Sequence, residues 1–440
     1  MDGRIYQTMA ATQNANLPPA ARLCAMAALV HCLDHKKPLD AAWPQLKEFG
    51  MLSPPDRAFA QLITKTTLRR LGQIDAVIGQ LLERPLHESA SRVQHILRLG
   101  ITQLVWLKTP PHAAVNESVE MAKAAGQHKF SGLVNAVLKR ASKEAPGLIQ
   151  LQDEEQINTP EWLWHKWLET YGEETCRHIT RAHLAEPPLD LTPRADGTFW
   201  AQKLGGHLLP TGTVRLEERA GVTTLEGFNE GAWWVQDAAA SIPAQLLGKV
   251  RDEVVVDLCA APGGKTAQLA AKGANVTAID ITESRMKTLK ENLKRLRLKA
   301  ECITADALKW VPQEAPDCIL LDAPCSATGT MRRHPDVAWN RTQDDVLRMA
   351  HTQYRLLNHA LDILKPGGRL VYAVCSLQPE EGEGQITRLM ENRKDVALMP
   401  IPPYYANYAT SHGGIRTLPC HMEDSGGMDG FYTVQLIKNR

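Results

Sequence analysis

The chain has 440 residues, a net charge of +1, 44% hydrophobic and 22% charged residues, the balance of a globular protein of two or three domains rather than a disordered or fibrous one. No apolar run approaches the ~18–20 residues that cross a bilayer, and the opening stretch MDGRIYQTMAATQNANLPPA lacks the basic and apolar segments of a secretory leader. Nine scattered cysteines with no C-x-x-C pair argue against a disulfide framework or a metal site and for a reduced, cytoplasmic protein.

From about residue 20 to 143, apolar residues recur at three- and four-residue spacing in ARLCAMAALVHCL, RAFAQLITKTTLRRL, IDAVIGQLL, VQHILRLGITQLVWL and FSGLVNAVLKRAS, the period of helices with one buried face. Prolines 54, 55, 85, 110 and 111 punctuate them. Residues 1–145 are therefore expected to form an all-α domain. It carries 18 Lys and Arg against 11 Asp and Glu, a balance of +7, which leaves −6 for the remainder of a +1 chain. A basic domain points to a polyanion partner, although a solvated basic surface accounts for the charge equally well.

Residues 146–236 mix a helix start at Thr159-Pro160 with turn-rich, strand-like pieces after Pro187-Pro188, and read as a small α+β linker domain. From Asp237 to residue 440 the pattern alternates: VVVDL, NVTAIDI, CILLDA and GRLVYAVCS as strands, with helical stretches between them. This predicts an α/β domain with a parallel sheet, whose ligands bind beyond the carboxyl ends of the strands.

The first of these strands runs into DLCAAPGGKT. Gly263 and Gly264 permit a tight turn before a helix N-terminus. A Walker A loop would need glycine where Cys259 stands, so a phosphate-free cofactor such as S-adenosylmethionine fits better. Asp280 at the second strand tip is placed to accept from ribose hydroxyls, and Asp306 at the third from an adenine amine. The fourth strand ends in Asp322-Ala323-Pro324-Cys325-Ser326, and a second Cys-Ser pair, Cys375-Ser376, ends the fifth. A thiol at such an edge suits methylation of a ring carbon. Cytosine C5 is a poor nucleophile until a thiolate adds at C6 and makes it enamine-like. The residues alone do not rank the two cysteines, and analogy with DNA cytosine-5 methylases, whose nucleophile follows a proline, selects Cys325.

The stretches VQDAAAS (235–241), DLCAAPGGKT (257–266), DAPCSATGTMRRHPDVAW (322–339), LKPGGRLVYAVCSLQPEE (364–381) and MDGFY (428–432) resemble the bacterial 16S ribosomal RNA cytosine-5 methyltransferases of the Fmu/Sun type, in the wider RsmB/NOP family. PPHAAVNESVEMAK and FSGLVNAVLKR resemble the NusB fold that such enzymes carry. The resemblance implies a multidomain chain: an all-α NusB-like RNA-binding domain, an α+β linker and a Rossmann-like class I methyltransferase domain. It implies S-adenosylmethionine held by Cys259, Ala260, Ala261, Pro262, Gly263, Gly264, Lys265, Asp280, Asp306 and Asp322. It makes Cys375 the nucleophile, Cys325 the residue that assists release, and Asp322 the contact to the cytosine N3/N4 edge. The partner implied is 16S rRNA, with tRNA as the alternative within the same chemistry and a non-catalytic antitermination factor as the alternative outside it. A monomer without metal or membrane attachment is expected. Arg332, Arg333 and His334, just past the catalytic strand, are expected to hold phosphates flanking the target, and the basic helix RMKTLKENLKRLRLK is either a second RNA contact or a solvated face. Two departures stand out. Val374 replaces the threonine that usually precedes the nucleophile, and PPLDLTPRADG lacks the family's Arg/Asn-containing strand.

Overall fold

A computed structural model of the chain describes residues 20–217 and 221–439; the stretch in which no leader is read falls on residues 1–19, outside them. The described residues form two compact units. One runs to Leu184 and adds His334–Asn340; the other comprises Ala185–Arg333 and Arg341 onward.

The first unit is helical. Its longer helices are Ala20–Leu29, Pro54–Arg69, Leu71–Leu81, Ser91–Val105, Pro111–Ala124 and Ser131–Gln150, matching the spacing read from sequence. Their stripes bury Leu29, Ile63, Ile74, Ile96 and Leu138 in one core. Gly100 lets two helices close up: a Cβ there would come within 2.6 Å of the Leu138 side chain. The unit does not end at 145. Helix Ser131–Gln150 takes Pro146 into its interior near the C-terminus, and helices Glu161–Tyr171 and Glu173–Leu184 follow. Buried Trp167 and Cys176 come from these last two.

The second unit contains two sheets. Strands β1 (Leu189–Pro193), β2 (Gly206–Leu208), β3 (Val214–Leu216) and β4 (Trp233–Val235) form an antiparallel sheet in the order β2-β3-β1-β4. Strands β5 (Val254–Leu258), β6 (Asn275–Asp280), β7 (Glu301–Thr304), β8 (Cys318–Asp322), β9 (Arg369–Val374), β10 (Val396–Leu398), β11 (Ile415–Thr417) and β12 (Phe431–Lys438) form the larger one. Its order is β10-β12-β9-β8-β5-β6-β7, with β11 beside β12. β5 to β9 are mutually parallel, and β12 pairs antiparallel with β9. Covered on both faces, β8 and β9 are continuous apolar runs; Ile319, Leu320, Leu321, Leu370 and Val371 are fully buried. The chain order reverses between β5 and β8, and a crevice at such a switch point is where open α/β sheets take ligands. No helix among the described residues is long and apolar enough to cross a membrane.

Candidate active site

Two loops flank the switch point. The first leaves β5. Asp257, fully buried, accepts a 2.6 Å hydrogen bond from the Thr266 hydroxyl, which ties the helix Gly264–Ala271 to the strand. Between them the backbone turns sharply, with φ +62° at Cys259 and +100° at Gly263. A side chain at Gly263 would be strained and would strike Leu289, 2.8 Å away. Asp280 closes the turn from the tip of β6. Its carboxylate accepts from the Ala261 N–H at 3.2 Å and the Thr282 N–H at 2.9 Å. Asp306, partly exposed beyond β7, accepts from the Leu308 N–H.

Three carboxylates, Asp257, Asp280 and Asp322, stand around this loop against the ammonium of Lys265 and the half-exposed guanidinium of Arg285, 3.5 Å from Asp280. Burial, then the charges of Asp322, Asp280 and Asp257, pushes the Cys259 thiol up to about 12. Burial also carries Asp257 up to about 7, against the pull of the Thr266 hydrogen bond and with the charge of Asp322 adding to it. Such a field repels a triphosphate and favours a sulfonium cation. Acceptors at Asp280 and Asp306 suit ribose hydroxyls and an adenine amine. Ile281 beside them is 68% exposed, an apolar side chain open at this edge. The residues present fit S-adenosylmethionine.

The second loop leaves β8 and faces the loop from β9. Asp322 pairs with Lys265, whose ammonium lies 2.7 Å from its Oδ2 and 5.2 Å from the centre of the Phe431 ring. Burial alone would weaken the ammonium, but the carboxylates of Asp322 and Asp257 and the nearby Cys375 together raise it above the usual lysine range. Cys325 and Cys375, 50 residues apart in sequence, bring their sulfurs to 3.3 Å. Cys325 is buried, whereas Cys375 is partly open. The hydrogen bond to Cys375, burial and the charge of Glu381 hold the Cys325 thiol well above the ordinary cysteine range. All of the residues expected from Cys259 to Lys265, with Asp280, Asp322, Cys325 and Cys375, thus gather at one end of the sheet.

The expected phosphate-binding triplet does not gather there. Arg332 is 2% exposed, with Asp237 and Asp429 each 3.6 Å away, and its guanidinium donates to the Gly426 carbonyl at 2.6 Å. Arg333 donates to Asp429 at 3.0 Å and to Asp237. Two buried carboxylates therefore already pair with both cations. His334 belongs to the helical unit, its Nδ1 3.3 Å from Asp40 Oδ2. The basic helix, Glu283–Leu296, keeps Lys287, Lys290 and Lys294 exposed, while Arg295 donates to the Phe228 carbonyl at 2.7 Å.

Sequence reasoning gave no role to Glu381, to Asp237 or Asp429, or to Lys265 as the partner of Asp322. Their signal was present in VQDAAAS, DLCAAPGGKT, SLQPEE and MDGFY, but only the sheet order reveals what each meets.

Comparison with known proteins agrees with this site. Residues 244–437 match the family described as 16S rRNA methyltransferase RsmB/F, and residues 19–143 match the NusB family. The chain is 36% identical over 436 residues to ribosomal RNA small subunit methyltransferase B of Vibrio cholerae, covering 95% of this chain and 97% of that protein. It is 34% identical over 435 residues to the protein of that name from Cronobacter sakazakii, covering 95% and 98%. A crystal structure of a methyltransferase homolog from Pyrococcus horikoshii superposes with a TM-score of 0.53 at 26% identity, over 63% of this chain and 99% of that one. With a cofactor edge built for a sulfonium and relatives matched from end to end, the chain belongs to the 16S rRNA methyltransferase RsmB/F family and is an S-adenosylmethionine-dependent methyltransferase.

Proposed function

We propose that the enzyme methylates C5 of a cytosine in 16S ribosomal RNA through a covalent bond between Cys375 and C6. The observation that carries this reading is the pair of sulfurs 3.3 Å apart at the ends of adjacent parallel strands, with Asp322 on the same edge. An enzyme that methylates an exocyclic amine has no use for one thiol there, let alone two.

The roles follow from the surroundings. Cys325 is buried with its sulfur 3.3 Å from that of Cys375, which leaves the more open sulfur, Cys375, to attack C6 as the thiolate. Lys265 places a positive charge on the nucleophile's side of the site. Asp322, fixed by Lys265 at 2.7 Å, is an acceptor for the cytosine 4-amino group. S-adenosylmethionine, when bound, supplies the electrophilic methyl group. Once Cys375 is bonded to C6, Cys325 assists release. The C5 proton passes to solvent water beside Cys325, the C5–H electron pair re-forms the C5=C6 bond, the C6–S bond breaks, and the departing Cys375 thiolate accepts a hydrogen bond from the Cys325 thiol. The target base must leave any stack to reach two sulfurs set at the end of the sheet. The setting proposed is the cytoplasm, where the nine free cysteines stay reduced, with the enzyme acting as a monomer.

The test is transfer of a labelled methyl group to unmodified 16S rRNA, followed by digestion to nucleosides. Label in 5-methylcytidine is expected. Label in another nucleoside, or in tRNA with none in rRNA, would overturn the reading.

A further inference from the structure

The two Cys-Ser pairs share more than their sequence. Ser326 and Ser376 are both fully buried, their hydroxyls 3.1 Å apart. Between them lies Glu381, also fully buried. One carboxylate oxygen accepts from the Ser326 N–H at 2.8 Å and from Gln353 Nε2 at 3.0 Å. The other accepts from the hydroxyls of both Ser326 and Ser376. Among the described residues no lysine or arginine forms an ion pair with it; four donors take that place. The surrounding bonds fix the carboxylate in turn. Tyr372 donates to the Glu381 carbonyl at 2.6 Å, and Gln353 also donates to the Pro324 carbonyl at 2.9 Å.

We propose that Glu381 is the positioning residue of the two-cysteine site, a single carboxylate clasping the loop of Cys325 and the loop of Cys375 so that the two sulfurs stay in register. The proposal rests on the covalent reading above. Each serine immediately follows its cysteine, so fixing the serine hydroxyl fixes the adjacent Cα–Cβ direction. A nucleophile for C6 and an assisting group for C5 must meet neighbouring ring atoms, and a shift of about 1 Å in either costs on the order of 10²-fold in rate. Val374 makes the clasp more important in this chain, because no hydroxyl flanks Cys375 on its other side. The carboxylate also acts by charge: it is among the groups that hold the proton on Cys325, and so keeps the two cysteines chemically unequal.

The experiment compares the full-length wild type with Glu381→Gln, Glu381→Ala and a Ser326→Ala/Ser376→Ala double variant. Steady-state methyl transfer is measured, together with the pH dependence of Cys325 alkylation by iodoacetamide, read by peptide mass. Expected is a loss of kcat of about 10²-fold in Glu381→Ala, with KM for RNA and for S-adenosylmethionine within about threefold. Partial rescue is expected in Glu381→Gln, together with alkylation of Cys325 at lower pH, which a purely structural residue would not produce. A kcat for Glu381→Ala within about threefold of wild type would overturn the proposal, as would an unmoved alkylation profile in Glu381→Gln. If melting curves show that Glu381→Ala does not fold, the serine double variant decides: a fall of about tenfold in kcat supports the clasp and wild-type turnover refutes it. Cys375→Ala is run alongside. If it still turns over, the covalent reading fails, while the alkylation profile continues to test the clasp by itself.

Discussion

Two buried charge clusters lie within a dozen residues of each other in sequence and behave oppositely. Arg332 and Arg333 face Asp237 and Asp429, two cations against two anions, with the bidentate Arg215–Asp190 pair, at 2.7 Å through each oxygen, joining β1 to β3. That cluster is balanced and closed. At the switch point Asp257, Asp280 and Asp322 surround the cofactor loop with Lys265 as the buried cation among them. This cluster is open, and among its buried groups it is unbalanced, because its other cation, the half-exposed Arg285, reaches Asp280 only from the surface, at 3.5 Å. A balanced buried cluster holds architecture together, whereas an unbalanced one is completed by a ligand of opposite charge.

The largest effects should come from the unbalanced side. Lys265→Met removes the cation that fixes Asp322, and turnover of the protein that still folds should fall about 10²-fold, measured by methyl transfer with calorimetry alongside to separate this from the loss of a buried ion pair. If turnover survives, the ion pair is only structural and the contrast breaks.

On the balanced side the effect should be on stability. Arg333→Met leaves Asp237 and Asp429 short of a cation; breaking such a buried pair costs about 3–5 kcal/mol, roughly a 10 °C drop in Tm for a domain of this size. The salt dependence of RNA binding should be unchanged. Loss of about one unit of salt slope would instead place Arg333 on a phosphate.

Acid should find the same cluster. The charges of Arg333 and Arg332 outweigh burial and hold Asp237 below the usual carboxylate range. Its folded value is depressed, so its contribution is complete above the unfolded carboxylate value of ~3.9 and is lost as pH falls through the folded value. Thermal melts against pH should show this loss below about pH 4 in wild type and a smaller one in an Asp237→Asn variant.

Asp257 gives the opposite sign and the smallest effect. Raised to about 7 in the folded protein, it contributes fully only below the unfolded value and costs stability as pH rises through the folded one. Asp257→Asn, which can still accept from Thr266, should therefore gain a few degrees in Tm relative to wild type at about pH 8 and little or nothing at about pH 5.

The same contrast marks what the sequence could disclose. The parallel sheet was legible because β5, β6, β8 and β9 are apolar runs bounded by Asp, Gly and Pro. The turn from β5 into the next helix was legible because it lies in one unbroken stretch. The two cysteines were legible as a pair of strand-end thiols, and resemblance to the cytosine-5 methyltransferases divided their roles; the structure adds that Cys325 is the buried sulfur and Cys375 the more open one. The pairing of the arginines was not legible because MRRHPD has the composition of an exposed basic turn, and the carboxylates that meet Arg333 are each 96 residues away. Nothing local distinguishes a cation awaiting phosphate from one already neutralised. Glu381 was hidden for a related reason. It sits in SLQPEE beside a second glutamate, and only the pairing of β8 with β9 brings Ser326, 55 residues distant, onto the same carboxylate.

The central claim is the division of labour between Cys375 and Cys325. It is tested most directly by incubating wild type, Cys375→Ala and Cys325→Ala with unmodified 16S rRNA and S-adenosylmethionine, then separating protein from RNA on a denaturing gel. The account predicts no covalent complex with Cys375→Ala and an accumulating one with Cys325→Ala, which can attack but not release. A complex that accumulates with Cys375→Ala and disappears with Cys325→Ala would reverse the assignment and make Cys325 the nucleophile.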